Sequence, residues 1–202
     1  MIPAIVLAAG ASTRMGRSKA LLMAGERTFV RTILQTLRDG GITDAVVVLR
    51  PGQAEAVAEI EAAGAGRVAV NPRADDGQLS SLIVGLDAVD APGVEAALVT
   101  LVDVPLIQAA TVHALLARSA ASSAAIIRAV HHGRHGHPVI FRRSVFAGLR
   151  RADPAAGAKA VVHSSAVEDV EVDDPGILHD VDTPDEYERI FSPPNPRRRG
   201  GI

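Results

Sequence analysis

The chain has no cysteine among its 202 residues, so it carries no disulfide framework, no thiolate zinc site and no cysteine nucleophile. Any metal must be held by oxygen or histidine. Aromatic side chains are nearly missing as well. Four Phe, one Tyr and no Trp leave no row of stacking platforms for the bases of a single strand. Nor is there an excess of charge of one sign: 21 basic against 23 acidic side chains give a formal net charge of −2, which offers no field for duplex nucleic acid. Long apolar runs are absent. The opening run from Met1 to Ala9 has no basic stretch before it and stops at Gly10, so it reads as neither a signal peptide nor a span, and nothing else approaches the ~20 residues that a bilayer requires. The expectation is a cytoplasmic protein with no nucleic-acid or membrane partner.

What the sequence does contain is a core, since 48% of its residues are hydrophobic. Short apolar runs alternate with helical patterns, the signature of a parallel sheet with crossover helices. The residues 2–8, 45–49, 67–70 and 96–102 read as strands buried on both faces. Phe29, Val30, Ile33, Leu34 and Leu37 share a helix face that Gly40-Gly41 terminates. Further helices are expected at 54–63, around Leu79–Leu86, at 111–119 and at 155–164, with a last one capped by Thr183-Pro184 and running to about Phe191. The segments 124–130 and 138–141 read as strands flanking a Gly/His-rich loop, and 167–172 alternates like a strand. This makes an α/β domain over 1–191 with a mostly parallel sheet, followed by a Pro/Arg/Gly-rich tail, 192–202, expected to be disordered.

The most informative segment leaves the first strand: Leu7-Ala8-Ala9-Gly10-Ala11-Ser12-Thr13-Arg14-Met15-Gly16-Arg17-Ser18-Lys19. Open α/β sheets bind ligands at the carboxyl ends of their strands. Small residues let the backbone approach a ligand, successive N–H groups form an anion-binding concavity, and Arg14 and Lys19 add charge. A triphosphate cradle is the functional reading; an ordinary strand-to-helix turn with a solvated Arg and Lys is the structural one. It is not a P-loop, because five residues separate Gly10 from Gly16 and Arg-Ser-Lys follows. The Rossmann Gly-x-Gly-x-x-Gly is missing too.

Leu-Ala-Ala-Gly-x-Ser-x-Arg-Met-Gly-x-x-Lys resembles the signature of nucleotidyltransferases that activate a phosphorylated acceptor with an NTP. Within these the chain most resembles the MobA-like NTP transferases, and among them the molybdenum cofactor cytidylyltransferases. Three further segments share the resemblance: Gly77-Gln78-Leu79-Ser80-Ser81-Leu82, Val102-Asp103-Val104-Pro105, and Gly136-His137-Pro138-Val139-Ile140-Phe141 together with Asp180-Val181-Asp182-Thr183-Pro184. The resemblance spans residues 1 to about 190 and implies a three-layer Rossmann-like nucleotidyltransferase fold with helices on both sheet faces. It implies nucleotide contacts from Leu7, Ala8, Ala9, Gly10, Ser12, Arg14, Lys19, Gly77 and Ser81. Arg14, Lys19 and Asp103 would be the catalytic set.

Asp103 ends the fourth long strand and so faces the edge of the glycine loop. A hard cation such as Mg²⁺ takes one or two protein carboxylates plus phosphate and water oxygens. Asp103 is the first candidate ligand, with Asp182 and Asp180 as the second and third; residues two apart in extended chain point the same way. Asp-Thr-Pro also suits a helix cap, which is the structural reading of the later pair. Asp75-Asp76 reads as a solvated loop. Ser80 and Ser81 open a helix, where they suit either a cap or recognition of a base or ribose edge. Four of the seven histidines lie in 131–137. His131, His132 and His135 read as solvated residues of a hairpin tip too mobile for zinc. His137, within the Gly-His-Pro segment, is expected to contact the acceptor, and Arg134 to attract an anionic one.

The implied reaction is attack of an acceptor phosphate on the α-phosphorus of an NTP, with pyrophosphate leaving. It needs positioning and charge neutralisation rather than a general base. Leu-Ala-Ala-Gly resembles the cytidylyltransferase form, so CTP is the expected donor and a Mo-molybdopterin acceptor the expected partner, with a molybdenum hydroxylase receiving the product. A guanylyltransferase or another NTP transferase is the alternative within the family. A non-catalytic pterin or nucleotide chaperone and an oxidoreductase are the alternatives outside it, the latter unsupported by any dinucleotide fingerprint.

Overall fold

A computed structural model describes residues 1–191; the expected disordered tail lies outside the described residues. The chain builds one seven-stranded sheet from β1 (Ala4–Leu7), β4 (Ala45–Leu49), β5 (Arg67–Val70), β6 (Ala96–Leu101), β7 (Ile126–His131), β8 (Arg134–Arg142) and β9 (Val167–Glu171). Their order is β5-β4-β1-β6-β8-β7-β9. β5, β4, β1 and β6 are mutually parallel. β8 alone runs against its neighbours, antiparallel to both β6 and β7, while β9 lies parallel to β7. A separate two-stranded hairpin, β2 (Met23–Ala24) and β3 (Arg27–Thr28), turns at Gly25, whose φ is +66°.

Near-continuous apolar strands imply two covered faces, and the packing shows why for β1, β4 and β6; β5, expected to be buried as well, is instead the edge strand, with Val70 51% exposed. Ala4, Val6 and Ala8 point to one side, onto α1 (Phe29–Asp39), α2 (Ala54–Ala63) and α4 (Ala109–Ala121). Ile5, Leu7 and Ala9 point to the other, onto α3 (Gln78–Val89) and α5 (Arg143–Arg150), with the short α6 (Lys159–His163) beside them. The fold is therefore the expected three-layer Rossmann-like arrangement. Helix α3 lies unusually close to the sheet. A Cβ on Gly85 would fall 2.4 Å from Ile5 Cγ2 and 3.2 Å from Val48 Cγ2. The last helix, α7 (Pro184–Phe191), docks on α1 through an aromatic cluster: the rings of Phe29 and Phe191 are 5.2 Å apart and those of Tyr187 and Phe191 5.4 Å.

Three local expectations are corrected. The Gly/His-rich segment is not a floppy loop: β7 and β8 run almost into one another, and only the tight turn at His132 (φ +49°) and Gly133 (φ +74°) separates them. The helix expected from 155 starts at Lys159, because Gly157 adopts φ +62° and breaks the helical path. Helix α5 was not expected at all; its arginines mask the two buried residues, Phe146 and Leu149, that pin it.

Candidate active site

The site forms where parallel register places separate loops on one edge. β1 and β6 pair with Leu7 opposite Leu101, so the glycine loop and Asp103 leave the sheet side by side. β8 enters the sheet antiparallel to β6, and its first residues, including His137, start from the same edge. The third contributor returns after β9 along residues 172–182. That segment is pinned at several points. Val172 N–H donates to the Val130 carbonyl, the buried Asp174 carboxylate accepts from the N–H groups of Gln108 and Gly176, and Val181 N–H donates to the Asp103 carbonyl at 2.8 Å. Gly136 and Gly176 permit the close crossings, since a Cβ at either would lie 2.0 Å from Ile177 O or 2.2 Å from Leu106 O. A capping box then fixes the end: Glu186 accepts from the N–H groups of Asp182 and Thr183, and Thr183 Oγ1 accepts from Glu186 N–H. These contacts, led by the Asp182 N–H, hold the Glu186 carboxyl below its ordinary value. Thr183, not Asp182, is thus the helix cap, and Asp182 is left to face the cavity.

That cavity holds about 350 Å³. The glycine loop lines it from Leu7 through Ala8, Ala9, Gly10 and Ser12 to Arg14. Lys19, Gly77, Ser81, Asp103 and Asp182 complete the set of expected residues that the structure brings together. Ser12 is held at φ +50°, a left-handed conformation uncommon for a non-glycine residue, by the turn it organises. Its carbonyl accepts from Met15 and Gly16, and its Oγ accepts from the Lys19 N–H. Two expected residues lie elsewhere. Asp180 is exposed and does not line the cavity, and His137 lines a neighbouring one.

The side chains in the cavity form a tight ion cluster. Lys19 Nζ donates to Asp103 Oδ2 at 2.8 Å and also to Asp182 Oδ1. Burial of Lys19 works against its charge, but the hydrogen bonds and charges of the two aspartates outweigh it and raise its pKa. Arg14 lies 4.0 Å from Asp182 and is largely exposed. Two cations and two carboxylates cancel, so these four groups alone offer no surplus positive charge to a triphosphate. Asp103 Oδ1 is buried with no hydrogen-bond partner among the described residues, an acceptor that costs stability unless a donor or cation reaches it. Asp103 and Asp182 are the right number and kind of ligand for a hard divalent cation that fills its shell with phosphate and water oxygens. No larger group of three or more His, Asp or Glu residues suited to a metal occurs among the described residues.

Sequence reasoning missed several participants. Asn71, 1% exposed, donates from Nδ2 to Ser80 Oγ and Ser81 Oγ at 2.8 and 3.0 Å, and accepts from the Arg73 N–H. Ser80 is consumed by this network and by a bond to the Arg73 or Gly77 carbonyl, whereas Ser81 lines the cavity. Gln78, in the first turn of α3, lines both cavities. Asp75 is a solvated loop residue as expected, 85% exposed, and pairs with Arg50 at 2.6 Å. The second cavity, about 450 Å³, shares Leu7 and Gln78 with the first and is walled by Leu79, Leu82, Val99 and Phe141, with His137 and Lys159 as its polar groups. Burial lowers the His137 pKa, only partly offset by the Val99 carbonyl and the charges of Asp103 and Asp180.

A glycine loop, a nearby lysine and carboxylates at the carboxyl edge of a mostly parallel sheet define an NTP-handling α/β domain. The model of the MobA-like NTP transferase domain matches residues 4–170, and the chain belongs to that family. Rv0371c from Mycobacterium tuberculosis H37Rv, solved in complex with manganese, is 32% identical, with a TM-score of 0.77 over 94% of this chain and 97% of that one. Two more distant structures share the fold. A nucleotidyl transferase from Methanothermobacter thermautotroptrophicus is 20% identical (TM-score 0.77, 95% of this chain and 96% of that chain). Molybdopterin-guanine dinucleotide biosynthesis protein A from Archaeoglobus fulgidus is 17% identical (TM-score 0.70, 94% and 97%). Comparison with curated proteins gives no match. Among the described residues no helix is long and apolar enough to cross a membrane.

Proposed function

We propose that this protein is a nucleotidyltransferase that moves a nucleoside monophosphate from an NTP, with CTP preferred, to the phosphate of a Mo-molybdopterin acceptor. Pyrophosphate leaves, and the product is molybdopterin cytosine dinucleotide for a molybdenum hydroxylase. The observation that carries the reading is the convergence of the glycine loop, Lys19, Asp103, Asp182 and the first turn of α3 on one cavity. The loop amides, Arg14 and Lys19 bind the β- and γ-phosphates and stabilise the pyrophosphate as it departs. Gln78 and Ser81 face the base or ribose. The acceptor enters the adjoining cavity, where the apolar walls suit a flat ring and the neutral imidazole of His137 serves as a hydrogen-bond partner rather than a charge. The two cavities meet at Leu7 and Gln78, which brings acceptor phosphate and α-phosphorus together.

Asp103 and Asp182 would hold a divalent cation, Mg²⁺ in this reading. The manganese complex of Rv0371c supports such a site. When bound, the cation supplies charge neutralisation and Lewis-acid polarisation of the phosphates. The acceptor phosphate is already ionised, so no protein base is needed.

The test is thermal stability with CTP, GTP, ATP and UTP, each with and without Mg²⁺. A ligand at 100 times its Kd adds about 2.7 kcal/mol. A Mg²⁺-dependent rise with CTP supports the reading, a preference for GTP moves the protein to guanylyl transfer, and no rise with any nucleotide refutes it. Lys19→Ala and Asp103→Ala are each expected to slow pyrophosphate release by about 10²–10³-fold with the circular dichroism spectrum unchanged. Unchanged turnover in both would sink the assignment.

A further inference from the structure

Lys19 has a position that phosphate binding does not explain. A lysine serving only the triphosphate would extend toward the loop amides, yet its ammonium lies between the two carboxylates, 2.8 Å from Asp103 Oδ2 and bonded to Asp182 Oδ1. We propose that Lys19 is a stand-in cation, which occupies the charge position between Asp103 and Asp182 before nucleotide binds and thereby withholds those carboxylates from divalent metal. The inference rests on the metal reading above and deepens it into a rule for the order of binding.

Three observations carry it. A cation bridging Asp103 and Asp182 must either take the place of the ammonium or lie directly against it, and both cost free energy in a half-buried site where screening is weak. The ammonium satisfies only part of the cluster, since Asp103 Oδ1 remains buried and unpartnered among the described residues; the carboxylates retain capacity for more positive charge than one lysine supplies. Lys19 is also tied to the loop proposed to cradle the phosphates, because its own N–H donates to Ser12 Oγ. When a triphosphate arrives on that loop it brings the new anionic partner the ammonium needs, and the carboxylates are released to the metal. Metal alone therefore binds weakly, and metal and nucleotide promote one another by linkage.

The experiment measures Mn²⁺ binding alone, without nucleotide, from the electron paramagnetic resonance signal of the free ion. It compares the full chain with Lys19→Met, Asp103→Asn and the double variant. Lys19→Met is expected to bind Mn²⁺ at least about tenfold more tightly than the unsubstituted protein, equivalent to about 1.4 kcal/mol, with the gain abolished by adding Asp103→Asn. Lys19→Gln, with a neutral polar end, must show the same direction and covers a failure of the methionine variant to fold. Equal or weaker binding in the Lys19 variants, still dependent on Asp103, overturns the stand-in role while leaving the metal site intact. Mn²⁺ binding indifferent to Asp103, or absent in the Lys19 variants, overturns the metal reading and this inference together.

Discussion

Asp174→Ala tests how the second carboxylate of the site is positioned, although Asp174 never touches the cavity. Asp174 is 1% exposed. Its Oδ2 accepts from Gln108 N–H at 2.8 Å and from Thr111 Oγ1 at 2.6 Å, and its Oδ1 accepts from Gly176 N–H at 2.9 Å. Helix α4 has no cap from its own Gln108 side chain. The carboxylate arriving from the 172–182 segment supplies one, placed where the positive end of the helix favours an anion. Removing it takes the acceptor from the N–H groups of Gln108 and Gly176 and from the buried Thr111 hydroxyl, and with them the longer Gln108 Nε2 bond at 3.4 Å. At about 1–3 kcal/mol for each orphaned group, less what local relaxation and water entry recover, the expected loss is about 3–5 kcal/mol. That is a large part of the ~5–15 kcal/mol that holds a typical domain together. Urea unfolding followed by circular dichroism reads it directly, and Asp174→Asn, which keeps the shape and one acceptor, should lose less. A loss below about 1 kcal/mol for Asp174→Ala would refute the account of this segment as pinned by a tertiary cap.

Two further outcomes follow from the packing and the electrostatics. Gly85→Ala is expected to destabilise by about 1–2 kcal/mol in urea, because overpacking against Ile5 and Val48 exceeds the ~1 kcal/mol helical gain of alanine; a variant as stable as the parent would show that α3 can lift off the sheet at no cost. His137 has a folded pKa below its ordinary 6.5, so the unfolded chain binds the extra proton and the folded state does not. Its contribution is fully present above the unfolded value and is lost as pH falls from there toward the lowered folded value. The stability difference between the parent and His137→Gln should therefore shift against the parent as pH falls below 6.5, and a pH-independent difference would contradict burial as the cause.

The parts of this molecule that could be read from its sequence are those whose cause is local. β1, β4 and β6 are continuous apolar runs because both their faces are covered, and the glycine loop announces itself by its spacing. What escaped reading has non-local causes. The β2–β3 hairpin is four paired residues with no periodicity to detect. Helix α5 opens on arginine, and only Phe146 and Leu149 betray its buried side. The polar start of β8 looks like loop because Arg134 and His135 pair with His131 and Val130 at the rim of the sheet instead of in the core. Asp174 and Asn71 are single polar residues with no pattern around them, and their burial emerges only when distant segments meet.

The two carboxylates of the candidate site differ in the same way, and the difference has a mechanical consequence. Asp103 follows β6 by two residues and inherits its position from the parallel register with β1. Asp182 is 163 residues from Lys19 in the chain and reaches it only because the returning segment is held at Asp174, at the Gly136–Ile177 crossing, at the Val181–Asp103 backbone bond and by the Glu186 capping box. A carboxylate carried by the sheet keeps its place as long as the fold survives. One carried on a strap can withdraw without unfolding the sheet, and its side chain is already 46% exposed against 20% for Asp103. Loosening the strap should thus remove Asp182 from the ion cluster first, leaving Lys19 on Asp103 alone, and the half of the site formed by the glycine loop untouched.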